Sequence, residues 1–164
     1  MPRPQILCRP ADGPDEAALH HRIRHEVFVV EQKVFADSDL DAHDASDATI
    51  KVVAWTAAPI TGWEPGGAVR LYPIEPGIWQ GDRLAVLAPF RPWLGAPLVR
   101  FAVDTAAALG GVEMLAHVQT ANVRFFERLG WCRLGDPEIY VGLPHQLMSM
   151  DLTVRVGARL PARS

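Results

Sequence analysis

The sequence predicts a mixed α/β (α+β) fold, a sheet flanked by helices, on three observations. A helix-periodic stretch near the N-terminus is followed by two β-type runs separated by a Pro- and Gly-rich connection. Asp82 to Gly110 then reads as strand, turn and helix, and a further apolar strand at Glu113 to Val118 comes directly after it.

Each element has a local cause. Asp12, Pro14, Asp15 and Glu16 form a helix-start signal, since acids and a proline are favoured in a first turn. Leu19, Ile23, Val27 and Val30 recur at helical spacing and predict one buried stripe. His21 and His25 lie one turn apart on that helix; no third ligand is spaced to join them, so two solvent-facing histidines is the plainer account. Ala48 to Ala57 reads as a strand and Ala68 to Ile74 as its antiparallel partner. Pro76-Gly77 breaks the chain before Ile78-Trp79 and the central strand, Arg83 to Leu87. After the turn Ala88 to Ala96, a helix beginning near Pro97 is expected to bury Leu98, Phe101, Ala102, Thr105 and Leu109, with Gly110 as its stop. Beyond Trp131, Glu138 to Val141 and Gln146 to Leu152 read as two strands joined by Gly142-Leu143-Pro144. Thr153 to Ser164 is Arg-rich and expected to be a loosely held tail of a single domain, 1-164.

The strand-turn-helix segment carries chemistry. A helix N-terminus has amide N–H groups without intrahelical partners, and its dipole favours an anion, so a diphosphate can be held there by backbone. Arg91 would add charge. After the next strand come Gln119, Asn122, Phe125, Phe126, Gly130 and Trp131, in the order amide, aromatic pair, helix stop, aromatic.

Together these segments resemble the acetyl-CoA-binding core of the GNAT acetyltransferase superfamily, whose first signature is Arg/Gln-x-x-Gly-x-Gly/Ala after a Leu-Ala-Val-like strand. Counting from Leu84, Ala85 and Val86 makes Arg91 the signature arginine and puts Leu94 and Ala96 at the small positions; counting back from Leu98 puts Gly95 and Trp93 there. In the second signature Gln119 stands at the usual Asn position, Asn122 three residues on, and Phe126 replaces the Tyr that often protonates the leaving thiolate. Within the superfamily, Val27–Gln32, Asp39–Asp44, Gly77–Val86, Val118–Trp131 and Pro144–Leu152 resemble a nitrogen-starvation-associated N-acetyltransferase subfamily. Arg24 to Gln32 also resembles the opening of acyl-homoserine-lactone synthases, which share the fold.

The resemblance implies a central, mostly antiparallel mixed sheet flanked by helices, with splayed strands 4 and 5. It implies transfer of an acetyl group from acetyl-CoA, the acyl-donor substrate, to a small-molecule amine. Backbone groups of Leu84 to Val86 would bind the pantetheine arm and thioester carbonyl, and the Arg91 to Pro97 stretch the diphosphate. A base is also needed. His145 is the first candidate, with His117 and Glu31 beside it; imidazole is the side chain that changes charge near neutral pH. With Phe at 126, Tyr140 or solvent would protonate the thiolate. Two other functions stand beside this one: a lactone synthase using S-adenosylmethionine, motivated by Arg24, Phe28 and the acids after them, and a non-catalytic acyl-CoA-binding module.

Asp37, Asp39, Asp41, Asp44 and Asp47 begin like a calcium loop, but Ala42 and Ala48 stand where a glycine and the closing glutamate belong. They read as a solvated acidic loop, or as acids that with Glu31 attract a cationic amine. Composition excludes other classes. The net charge of -3 gives no basic footprint for nucleic acid, and no apolar run approaches membrane-spanning length. Cys8 and Cys132 suggest neither a disulfide framework nor a metal site, so a reduced, cytoplasmic setting without a metal is expected. An edge strand near the C-terminus could pair two subunits as a homodimer.

Overall fold

Residues 2–140 and 142–154 are described by the computed structural model, and strands dominate them. In chain order they are β1 (Ile6–Pro10), α1 (Gly13–His25), β2 (Ile50–Ala58), β3 (Gly62–Glu75), β4 (Ile78–Val86), α2 (Arg91–Ala108), β5 (Glu113–Gln119), α3 (Val123–Arg128), β6 (Cys132–Arg133), β7 (Glu138–Tyr140) and β8 (Leu143–Asp151). The strands are hydrogen-bonded in the order β1-β2-β3-β4-β5-β8-β6, with β7 on β8. Pairing is antiparallel for β1–β2, β5–β8, β6–β8 and β7–β8, and parallel for β4–β5. This is the expected mixed, mostly antiparallel sheet. The β4–β5 ladder joins Ile78 to Glu113, Trp79 to Met114 and Gln80 to Leu115 and stops there, which is the expected splay. Among the described residues no helix is long and apolar enough to cross a membrane. Val141 and the tail from residue 155 on lie outside the described residues.

The chain forms two compact units, the first running through Arg70 and including Arg83–Ala102, the second comprising Leu71–Asp82 and the chain from Val103 on. In the first unit β1 is a strand that no periodicity announces. Its five residues carry an arginine and a terminal proline, and it exists because β2 offers partners from Ile6↔Thr56 to Pro10↔Val52. An edge position tolerates the proline.

Helix α1 begins as expected, with Asp12 in extended conformation before it, Pro14 in its first turn and the Glu16 carboxylate accepting the Asp12 N–H at 3.0 Å. Its end differs. Glu26–Glu31 is a turn of π-helix, closed by Gln32 N–H to the Val27 carbonyl at 2.8 Å. The extra residue in the turn rotates the later side chains around the helix axis relative to the earlier ones. Phe28 therefore enters the core, while Val30, expected in the buried stripe, is 50% exposed. Ile23, Val27, Phe28, Val53, Ala68 and Ala85 form the apolar cluster of this unit.

The polar side of α1 overturns two expectations. His20 is fully buried; its Nδ1–H donates to the Val52 carbonyl at 2.9 Å, and Nε2 accepts from Arg24 at 3.1 Å. His21, expected in solvent, is half-buried; His25 is exposed. The acidic loop is equally unlike a solvated one at its centre. Arg24, with no exposed side-chain surface, bonds Asp39 through Nε at 2.7 Å and Asp44 through Nη1 at 2.7 Å. Arg70, also buried, meets Asp41 at 2.6 and 2.7 Å and Asp44 at 3.0 Å. Only Asp37 and Asp47 of the five acids keep to the surface role alone.

Burial pushes the His20 imidazole from its ordinary value down to about 3. Its folded pKa lies below the unfolded one near 6.5, so the neutral form stabilises above that value and the benefit is lost as pH falls toward about 3. Unfolding measured across this range should show stability declining by up to about 1.4 kcal/mol per pH unit below pH 6.5. His20→Gln should flatten that decline, and an identical pH dependence in the variant would show that His20 is not the sensor.

Helix α2 starts six residues earlier than expected, at Arg91, and Pro97 lies inside it. Pro97 has no N–H for the carbonyl four residues back, which costs roughly 3 kcal/mol. Leu94 and Leu98, on either side of it, are completely buried, and each such side chain returns about 1.5–3 kcal/mol. Both leucines lie close to Gly67 of β3, where an added methyl would meet Leu98 Cδ1 at 2.7 Å. Packing therefore carries the helix through its proline. Leu109, expected in the core, is 57% exposed beyond the helix end.

In the second unit β3 turns into β4 at Pro76-Gly77, and Gly77 takes the left-handed conformation (φ 81°) that the turn demands. Along β5, Met114, Ala116 and Val118 are buried while Leu115, His117 and Gln119 are half-buried. The register places Gln119 opposite His145 and His117 opposite Leu147, so one face of β5 and β8 gathers polar side chains. Strand β8 is paired on both sides; the exposed edge near the C-terminus is formed by the short β6 and β7.

Candidate active site

Three of the four catalytic candidates meet in the second unit. Strand β7 folds onto β8 with Tyr140 opposite Leu143 and Glu138 opposite His145. The Tyr140 ring stacks on His117, centroids 4.4 Å apart at 17°, and meets His145 edge-on at 5.3 Å. His145 is 7% exposed, and its Nδ1–H donates to the Leu143 carbonyl at 2.9 Å. That bond selects the tautomer whose Nε2 carries a lone pair, which is what a general base requires. His117 is held below its ordinary pKa, chiefly by burial and then by the charge that His145 can carry, while Glu138 and Asp82 oppose the shift. It is accordingly neutral at pH 7. Asp82 accepts a 3.0 Å hydrogen bond from the Tyr72 hydroxyl. The sequence carries no signal for Asp82 or Glu138 as charges felt by His117, because only the folded sheet brings them close.

The remaining second-unit candidates differ in setting. Gln119 ends β5 half-buried, and Asn122 is exposed just before α3. Phe126 is 8% exposed and packs edge-on against Trp131 with centroids 5.4 Å apart, in the manner of a core residue. A short helix after β5 is held to β8 by the Thr120 hydroxyl donating to the Pro144 carbonyl at 3.1 Å.

The first unit holds the other candidates. Glu31, the fourth catalytic candidate, lies in this unit: its carboxylate forms an exposed ion pair with Arg91, whose Nε also donates to the Val86 carbonyl at 3.2 Å. The phosphate turn expected at Ala88 to Ala96 is instead a 3₁₀ turn, Ala88–Phe90, followed by the start of α2. Leu94, Gly95, Ala96 and Pro97 are thus helical residues. Of the first-turn amides, Arg91 N–H goes to the Ala88 carbonyl and Pro92 has none. Leu84 and Val86 are half-buried on β4, Ala85 is in the core, and Leu87 N–H bonds the Gly66 carbonyl at 2.9 Å. Arg24 and Phe28, the residues behind the S-adenosylmethionine alternative, serve the interior of this unit.

No family model matches the chain. It is 30% identical over 131 residues to YjcF of Bacillus subtilis (strain 168), an uncharacterized N-acetyltransferase, spanning 79% of this chain and 88% of that one. Among solved structures it is similar to a Lactobacillus plantarum protein described as an N-acetyltransferase, with a TM-score of 0.76 and 25% identity, covering 92% of this chain and 99% of that one. BjaI, a CoA-dependent acyl-homoserine lactone synthase solved with SAM and isopentyl-CoA, matches in fold, with a TM-score of 0.69, 20% identity and coverage of 94% and 90%.

Proposed function

The chain belongs to the GNAT N-acetyltransferase superfamily, and from that premise we propose that it transfers an acetyl group from acetyl-CoA to the amine of a small molecule. The observation that carries the proposal is His145: buried, fixed in one tautomer by Leu143, and in contact with Tyr140, which in turn stacks on His117.

The roles come from the needs of acyl transfer. An ammonium cannot attack, so His145 Nε2 removes one proton from it, and the amine lone pair then adds to the thioester carbonyl carbon. Backbone groups of Leu84 to Val86 stabilise the oxyanion that forms, at little reorganisation cost because they are already held in a strand. Collapse of the tetrahedral intermediate breaks the C–S bond, the nitrogen gives up its second proton to solvent to leave a neutral amide, and Tyr140 or solvent gives the departing CoA thiolate its proton. Holding donor and acceptor together supplies much of the rate, since amines attack thioesters readily once oriented. Arg91 and the first turn of α2 hold the diphosphate, with Arg91 exchanging Glu31 for phosphate oxygens.

A thermal-shift titration with acetyl-CoA, CoA and S-adenosylmethionine tests the donor. A ligand at a hundred times its dissociation constant stabilises by about 2.7 kcal/mol, a shift of roughly 5–10 °C for a chain of this size. Acetyl-CoA and CoA should give that shift, and Arg91→Ala should shrink it; an undiminished shift in the variant would move the phosphate contact elsewhere. Mass detection of acetylated products across an amine panel then tests the transfer. A shift with S-adenosylmethionine and formation of a lactone would replace this proposal with the synthase alternative.

A further inference from the structure

We infer that the acidic loop and Arg83 form a clamp that holds β4 in a bent conformation, and that Arg83 is thereby a positioning residue for the acyl-donor strand. The inference rests on the proposed role of Leu84 to Val86 as backbone contacts of the thioester.

Arg83 lies within β4 with φ at 52°, in the left-handed region. An L-residue with a long side chain holds such backbone only where its surroundings impose it, and strands do not favour it. Glycine would satisfy that conformation without strain, yet the position holds an arginine. The guanidinium explains the choice. It donates to the Asp39 carbonyl through Nε at 3.2 Å and Nη2 at 3.0 Å, and Nη2 also reaches Asp41 Oδ2 at 3.3 Å. Its Nε is 3.2 Å from Asp39 Oδ2, and its carbon centre lies 4.6 Å from the Phe35 ring centroid, within cation-π range.

The anchor itself is tied to buried charges. Asp39 is fixed by Arg24 at 2.7 Å and Asp41 by Arg70 at 2.6 and 2.7 Å, and both arginines are buried. A loop joined so firmly to the unit's interior can impose a dihedral angle on the strand it touches. The bend falls one residue before Leu84, so the angle at residue 83 decides where the amides and carbonyls of the next three residues aim. An error of about 1 Å in such groups costs on the order of a hundredfold in rate.

The test compares Arg83→Ala, which loses the clamp and keeps an L-residue's left-handed penalty, with Arg83→Gly, which loses the clamp but adopts the bend freely. Asp41→Asn is a milder cut at the loop. Arg83→Ala should lower kcat for acetyl transfer by about tenfold or more, with acetyl-CoA KM changed by less than about threefold. Arg83→Gly should recover most of that rate, and Asp41→Asn should move the amide resonances of Ala85 and Val86, which are remote from it in sequence. A plain stabilising ion pair predicts instead that both variants lose stability while the folded fraction keeps the wild-type kcat. Arg83→Gly as slow as Arg83→Ala, or Ala85 and Val86 amides unmoved by Asp41→Asn, overturns the clamp. Failure of the donor role is separate: acetyl-CoA would leave the wild-type Leu84 to Val86 amides unmoved, and the positioning function would fall with it.

Discussion

Arg24→Ala is expected to destabilise the protein by about 3–5 kcal/mol, the penalty for leaving buried charges without their partner. Arg24 has no exposed side-chain surface, so solvent screening does not rescue Asp39 and Asp44 once the guanidinium is gone. The neighbouring hydrogen bonds set Asp44 well below the usual carboxylate range: burial opposes ionisation, and the Arg24 hydrogen bond, the Asp41 N–H and the charges of Arg24 and Arg70 outweigh it. Asp41 is lowered as well, first by its hydrogen bond to Arg70. In the variant Asp44 keeps the Asp41 N–H and Arg70 but loses its Arg24 hydrogen bond while burial still works against its charge, and His20 loses the donor to its Nε2. For a chain of this size the midpoint should drop by roughly 10 °C or more. Chemical denaturation of wild type and variant measures the difference; a change below about 1 kcal/mol would mean that water reaches the cluster and that Arg24 is not its keystone.

His145→Ala is expected to lower kcat for acetyl transfer by about 10²- to 10⁴-fold, the range for removing a positioned general base. The acetyl-CoA KM should change little, because in the proposed mechanism the residue acts on the amine and not on the donor. Tyr140→Phe keeps the ring that stacks on His117 and removes only the hydroxyl, so its effect should be smaller, solvent being able to protonate the thiolate. Steady-state kinetics with any amine that the wild type acetylates separates these cases. Full activity in His145→Ala would return the base to His117 or Glu31.

Features that repeat locally, or that match a family's pattern of residues, were legible in the sequence. The α1 stripe at Ile23 and Val27, the apolar strand at β5 and the helix stop at Gly130 all come from periodicity, composition and turn chemistry. The Leu84 to Val86 and Gln119 to Trp131 segments were enough to identify the superfamily and its sheet. His145, His117 and Tyr140 were separate candidates in the sequence, each with an ordinary structural explanation; only the β5–β8–β7 register brings their rings together.

Tertiary structure alone decided the rest, and the reason is the same each time: long-range packing outweighs a local preference. Buried Leu94 and Leu98 carry α2 through Pro97, and pairing with β2 makes a strand of Ile6–Pro10. The π-turn at Glu26–Glu31 sends Val30 outward and Phe28 inward. The aspartates look like a solvated loop in sequence because their partners are far along the chain. Arg24, Arg70 and Arg83 lie between 15 and 44 residues from the aspartates they hold, and no periodicity or turn signal links the two ends of such a bond.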